Sequence, residues 1–173
     1  MQWKLAHNIG TLKHPNYNTR EQISNCNQAI GFDGIYQSVY QNQDILKGKS
    51  GILFVMGDYL GKDNRFDLPH APKLEKYCDM GQVMELCVKY NFKLGWHTWS
   101  HPDLTELSDE DVIREITPPF QMDYFAYPYG IFDKRIIQLV KEAGYKEAYS
   151  VTQGSRNPNE PDYKFKIFRD YIR

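Results

Sequence analysis

From residue 29 onward two kinds of segment alternate along the chain: short apolar runs that stop at a polar or glycine junction, and stretches whose apolar residues recur at helical spacing. "AIGFD" (29–33) predicts a strand ending at an acid, and "YQSVYQNQDIL" (36–46) a helix carrying Val39, Tyr40 and Ile45. "GILFVMG" (51–57) is a continuous β-rich run between glycines, the pattern of a strand covered on both faces. The polar stretch 58–72 reads as a loop. Asp79 caps a helix from Met80 to Tyr90 on which Val83, Leu86, Cys87 and Tyr90 share a face, and "FKLGWH" (92–97) predicts the next strand. Ser108 and Asp111 resemble a capping box with the shorter Asp in place of Glu, opening a helix through Ile116 that Thr117, Pro118 and Pro119 end. "YFAY" (124–127) predicts a strand and "PYG" a turn. Asp133 caps "KRIIQLVKEA", Gly144 stops it, and "EAYSV" (147–151) is a further strand.

Repeated β-α units build parallel sheets, and 173 residues suit a single domain, 1–173, with a core large enough to need no staples. In such folds function collects at the carboxyl ends of the strands, in the loops that lead into helices. Asp33, Gly57, Asp58, His97, Tyr127 and Pro128 all fall at such ends. Parallel strands would therefore bring them to one rim.

Charge narrows the function classes. Lys and Arg number 21 against 22 Asp and Glu, so no global field recruits nucleic acid or anionic lipid. The start, "MQWKLAHNIG", lacks the apolar run of a signal peptide, and no later stretch is long and apolar enough for a membrane span, which points to a cytoplasmic protein without membrane insertion. Cys26, Cys78 and Cys87 are odd in number and form no CxxC, as expected of free thiols in a reducing compartment. Tyrosine, with 13 copies, offers both a stacking face and a hydroxyl, which suits a cleft for sugars.

Candidate chemistry centres on "WHTWSH" (96–101). His97 and His101 lie four apart in a strand-to-helix loop, where two imidazoles can point at one cation such as zinc; the same spacing also describes two loop or core histidines with ordinary hydrogen bonds. Asp33, at a strand end, is either a functional carboxylate or a helix cap or turn former. "YPYG" (127–130) is a proline turn closing a strand, and its glycine can also help aim backbone N–H groups at a ligand. The acids of "GDYLGKDNRFD" (57–67) lack EF-hand spacing, and no Lys followed by Ser or Thr comes after Gly57 and Gly61, which speaks against calcium and nucleotide sites.

Taken in order, "GFDGIYQSVYQN", "ILFVMG", "GWHTWSH", "FAYPYG" and "AGYKEAYSV" resemble the NodB-type polysaccharide deacetylases, the fourth family of carbohydrate esterases, over about residues 29 to 153. The resemblance implies an α/β fold, a short distorted (β/α) barrel. It also implies a TFDDG motif with a base and then a metal-ligand Asp, an H(S/T)xxH motif with two more ligands, and an RxPY-type motif lining the groove. His97-Thr98-Trp99-Ser100-His101 matches the second motif, and "FAYPYG" the third as it occurs in branches with Ala in place of the arginine. In the first motif Asp33 falls on the base, Gly34 on the metal-ligand Asp and Ile35 on the glycine, so one expected ligand is missing. The C-terminal motif that carries the general-acid histidine is missing too, since no histidine follows His101. His7, His14 and His70 remain, and permuted relatives, which take the acid from upstream of the first motif, point to "LKHPNY" (12–17) and His14.

The resemblance thus implies a metal-dependent hydrolase that removes an N-acyl group, acetyl first, from an amino sugar of a surface polysaccharide or its precursor. Zinc or another divalent ion would sit on His97 and His101, Asp33 would act as base or third ligand, and His14 as acid. Tyr127, Pro128, Tyr129 and Asp58 would line the carbohydrate groove. Two alternatives stay open: a catalytically impaired carbohydrate-binding or regulatory module on the same fold, and a metal-independent amide hydrolase.

Overall fold

A computed structural model of the chain describes residues 2–6, 18–67 and 74–172. Its strands are β1 (Trp3–Ala6), β2 (Ala29–Asp33), β3 (Gly51–Val55), β4 (Lys93–Trp96), β5 (Tyr124–Ala126), β6 (Glu147–Ser150) and β7 (Ile167–Tyr171). They close into a barrel in sequence order, every neighbouring pair parallel, with Trp3 of β1 opposite Arg169 of β7 at the seam. The five strands expected from apolar runs are present. The two that close the barrel, β1 and β7, lie outside those runs: β1 is a four-residue strand, and "IFRDY" has no uniformly apolar face.

Helices lie between the strands: α1 (Arg20–Asn25), α2 (Gln37–Gln41), α3 (Met80–Tyr90), α4 (Asp109–Ile116) and α5 (Lys134–Glu142). Capping residues set their starts. Thr19 with Gln22 and Asp79 with Gln82 form reciprocal capping boxes, while Asp133 accepts from the Ile136 N–H. At α4 Ser108 accepts the Asp111 N–H, but the short Asp111 carboxylate takes the Ser108 hydroxyl at 2.8 Å instead of the cap backbone. The helix expected over 36–46 is broken: α2 ends at Gln41 and a 3-10 turn takes Gln43–Leu46. Asn42 explains the break, because its Nδ2 donates to the Ser38 carbonyl at 2.8 Å and offers the backbone a local alternative to the helix.

Period-two alternation divides the strand residues between two cores. Ile30, Phe32, Leu53, Val55, Trp96 and Phe125 face outward and pack with Val39, Val83, Leu86, Val112, Ile116, Ile136 and Val140. Each such side chain contributes about 1.5–3 kcal/mol by leaving water. Ile52, Phe54, Ala126, Tyr149 and Ile167 fill the barrel interior. The same alternation turns Gly31 and Asp33 of β2, and Arg169 of β7, inward.

All three cysteines are free. Burial pushes the Cys78 thiol up to about 12 and that of Cys87 to about 11, so both serve as packing groups. Among the described residues no helix is long and apolar enough to cross a membrane.

Candidate active site

Because the strands run parallel, the residues at and just past their carboxyl ends gather at one mouth of the barrel. His97 follows β4 and is buried, its N–H donating to the Val55 carbonyl at 2.9 Å. Its Nδ1 lies 2.8 Å from the Ala126 carbonyl oxygen at the end of β5. A carbonyl only accepts, so Nδ1 carries the hydrogen and Nε2 presents its lone pair to the mouth. His101 returns its own Nε2 to within 3.1 Å of that atom. The turn between them holds Thr98 at φ +69° and His101 at φ +60°, left-handed positions that cost non-glycine residues about 1–3 kcal/mol each. Hydrogen bonds help hold that backbone: Gly57 N–H donates to Thr98 O, Asp58 N–H to Trp99 O, and His101 N–H to Thr98 Oγ1, each at 3.0 Å.

Asp33 meets a partner that sequence reasoning missed. Arg169, wholly buried on β7, donates from Nη1 to Oδ1 at 2.6 Å and from Nη2 to Oδ2 at 2.7 Å, a planar fork that fixes the carboxylate. The guanidinium also lies 5.2 Å from the centre of the Phe54 ring. Gly31 makes room for it, since a Cβ there would come within 2.8 Å of Nη1. The signal for Arg169 was its phase, inward between Ile167 and Tyr171. Asp33 Oδ2 stands 3.9 Å from His97 Nε2.

Burial lowers the pKa of His97, with Asp33 acting in the opposite sense. His101 is pushed down to about 3, by burial first and the neighbouring His97 second. An unfolded histidine titrates near 6.5, so on acidification the unfolded chain takes up protons that the folded, metal-free chain refuses. The stabilising term is full above pH 6.5 or so and is lost as pH falls from there toward about 3. Melting temperatures of the metal-free protein should fall across this window, and His101→Gln should flatten the decline; equal slopes in the two proteins would remove His101 as its source.

The imidazole pair fits a cation. Tetrahedral zinc with ligands at 2.0–2.1 Å places two nitrogens about 3.3 Å apart, close to the 3.1 Å found here. Among the described residues no group of three or more His, Cys, Asp or Glu side chains gathers as a metal cluster. Gly34, aligned with the family's remaining ligand, stands at φ +74°, and a Cβ there would lie 2.7 Å from Tyr77 Cε1 and 2.9 Å from Met56 Cε. The Tyr77 ring is itself held, stacked 4.3 Å from that of Tyr36 with the two hydroxyls 2.9 Å apart.

The expected groove residues divide by exposure. Tyr129 is exposed, its ring 4.7 Å from that of His101, and Asp58 also faces solvent. Tyr127 and Pro128 are buried, and the Tyr127 hydroxyl donates to the Phe165 carbonyl at 2.8 Å, so their side chains belong to the core. The Phe66 ring also lies near His101, ring centres 6.2 Å apart, and is stacked on Tyr59 at 3.8 Å. His7, His14 and His70 lie outside the described residues.

Comparison with known proteins bears on the fold and the family. An uncharacterised 30.6 kDa protein of Geobacillus stearothermophilus is 30% identical over 134 residues, 69% of this chain and 44% of its own length. Chitin deacetylase 1 of Saccharomyces cerevisiae is 37% identical over 71 residues, 36% of this chain and 24% of its own. The chain thus spans less than half the length of these relatives. Among solved structures, IcaB from Ammonifex degensii superposes with a TM-score of 0.72 at 15% identity, covering 100% of this chain and 94% of that one. The Streptococcus pyogenes deacetylase PplD, in complex with acetate, reaches 0.75 at 14%, covering 99% and 92%. At such identities these two likenesses speak for the fold. Residues 29–148, from the first residue of β2 into β6, match the polysaccharide deacetylase family model, and the chain belongs to that family.

Proposed function

We propose that the chain is a metal-dependent hydrolase that removes an N-acyl group, acetyl first, from an amino sugar of a surface polysaccharide or its precursor. The observation that carries this reading is the convergence of His97 Nε2 and His101 Nε2 at 3.1 Å, with a fixed carboxylate 3.9 Å away, at the functional end of a parallel barrel. His97 and His101 would hold the ion, zinc first, which when bound supplies an activated water and polarises the acyl carbonyl. Asp33, oriented by Arg169, accepts the proton of the attacking water; both its oxygens already serve the guanidinium, which favours the base role over that of third ligand. A backbone N–H at Tyr129 is assigned to the developing oxyanion, and His14 to protonation of the leaving amine. Tyr129 and Asp58 face the sugar.

The test is acetate release from N-acetylated amino-sugar oligomers with zinc present. Asp33→Asn should lower kcat by about 100-fold to 10,000-fold, and His14→Asn should act likewise while His7→Asn does not. Activity that survives Asp33→Asn unchanged would overturn the mechanism. Zinc at 100 times its Kd should stabilise the protein by about 2.7 kcal/mol, a rise in Tm of about 5–10 °C for a domain of this size. A Tm that ignores zinc in the wild type and in His97→Ala alike removes the metal from the reading. One observation favours a second reading, the impaired carbohydrate-binding module: the position of the missing ligand is filled by the Tyr77 ring. That reading gains if the wild type binds the oligomers and releases no acetate.

A further inference from the structure

We propose that Glu115 is a positioning residue for the imidazole pair, the group on α4 that shapes the 97–101 turn so that the His101 ring meets His97. Of the polar groups between the two histidines, Glu115 accepts from two successive backbone N–H groups and one hydroxyl. Its Oε2 takes the N–H of Trp99 and that of Ser100, each at 2.9 Å, and its Oε1 takes the Ser100 hydroxyl at 2.7 Å. Successive backbone N–H groups in a turn form a concave nest that attracts an anion, and the turn here begins with Thr98 at φ +69°. The carboxylate fills the nest from within the chain.

Helix stability does not account for Glu115. It sits in the last turn of α4, where the macrodipole disfavours negative charge. Two further bonds join the helix end to the end of β4 and to the turn: Trp96 Nε1 donates to the Glu115 carbonyl and Trp99 Nε1 to that of Thr117, both at 2.9 Å. Residues 96 to 100 are thus moulded on α4, while the His97 ring takes its own fix from β5 through Ala126. Loss of the carboxylate would release the His101 side of the pair and leave His97 in place.

The inference concerns the shape of the pair, and only its zinc readout rests on the metal reading above. The experiment combines zinc titration of Glu115→Ala, Glu115→Asp, Glu115→Gln and Val140→Ala with crystal structures of the metal-free proteins. Glu115→Ala and Glu115→Asp should weaken zinc binding about 10-fold to 100-fold. Glu115→Gln, whose amide oxygen still accepts both N–H groups, should restore most of the affinity. Val140→Ala, a core truncation on α5, should lower Tm and leave zinc affinity unchanged. In crystals of Glu115→Ala, or of Glu115→Asp where the alanine variant does not fold, the two Nε2 atoms should separate beyond hydrogen-bond reach, about 3.5 Å. An unchanged separation overturns the inference, as does a loss of affinity in Val140→Ala equal to that in Glu115→Ala. A wild type that takes up no zinc ends the metal reading alone, and the metal-free structures then decide the role of Glu115.

Discussion

Replacing Arg169 by methionine should destabilise the protein by about 3–5 kcal/mol, a fall in Tm of about 6–20 °C for a domain of this size. Methionine keeps much of the stem volume and removes the charge. The cause is the carboxylate left behind: the Asp33 side chain is 15% exposed and would lose both bonds of the guanidinium fork. The pair as a whole is a different matter, because two buried charges lose in desolvation much of what they gain from each other. Asp33→Leu combined with Arg169→Met should therefore recover most of the lost stability, although it removes the proposed base. Urea unfolding of both variants decides the point. A loss in Arg169→Met of less than about 1 kcal/mol would place the pair among surface ion pairs and deny Arg169 its orienting role.

Gly34→Asp should not rebuild a third metal ligand; it should destabilise the fold. A side chain at φ +74° adds about 1–2 kcal/mol of backbone strain. A Cβ at 2.7 Å from the Tyr77 ring adds about 1–3 kcal/mol of overpacking. Met56 Cε, the second contact, ends a flexible side chain and can move aside. Tyr77 has less freedom, being buried, stacked on Tyr36 and tied to its hydroxyl, while Asn64 Nδ2 donates to that same Tyr36 hydroxyl at 3.3 Å. Backbone bonds from Tyr77 N–H to Lys62 O at 2.8 Å and from Cys78 N–H to Ile35 O at 2.7 Å hold the segment against its neighbours. Gly34→Ala, which adds the same Cβ without a carboxylate, should lose a comparable amount. Zinc titration and thermal melting of both variants test this: a stable Gly34→Asp with tighter zinc binding than the wild type would show that the site needed only the carboxylate.

These two variants touch the parts of the site that local pattern could not reach. HxxxH was legible because both histidines belong to one loop, and Asp33 because it ends a short apolar run. Their partners were not legible. The Asp33 partner lies 136 residues further along the chain, brought beside it only when β7 pairs with β1 and the seam closes. Tyr127 and Pro128 stand just past the end of β5, but whether a side chain there points to the groove or into the core depends on the packing of Phe165 and neighbouring residues. The split of the helix expected over 36–46 was written in Asn42, a residue whose side chain competes for backbone hydrogen bonds.

The sequence by itself determined the alternating β-α order, the caps of most helices and the chemical types at the strand ends. Side-chain periodicity and capping act over a few residues, so they survive in the linear pattern. Only the tertiary structure decided that β7 pairs with β1 to close the barrel at seven strands, that Ala126 fixes which nitrogen of His97 faces the mouth, that Arg169 takes both oxygens of Asp33, and that Tyr77 occupies the space beside Gly34. Each of these is a contact between groups far apart in the chain. Such contacts are set by strand register and by which buried polar atoms find partners, and neither leaves a local periodicity to read.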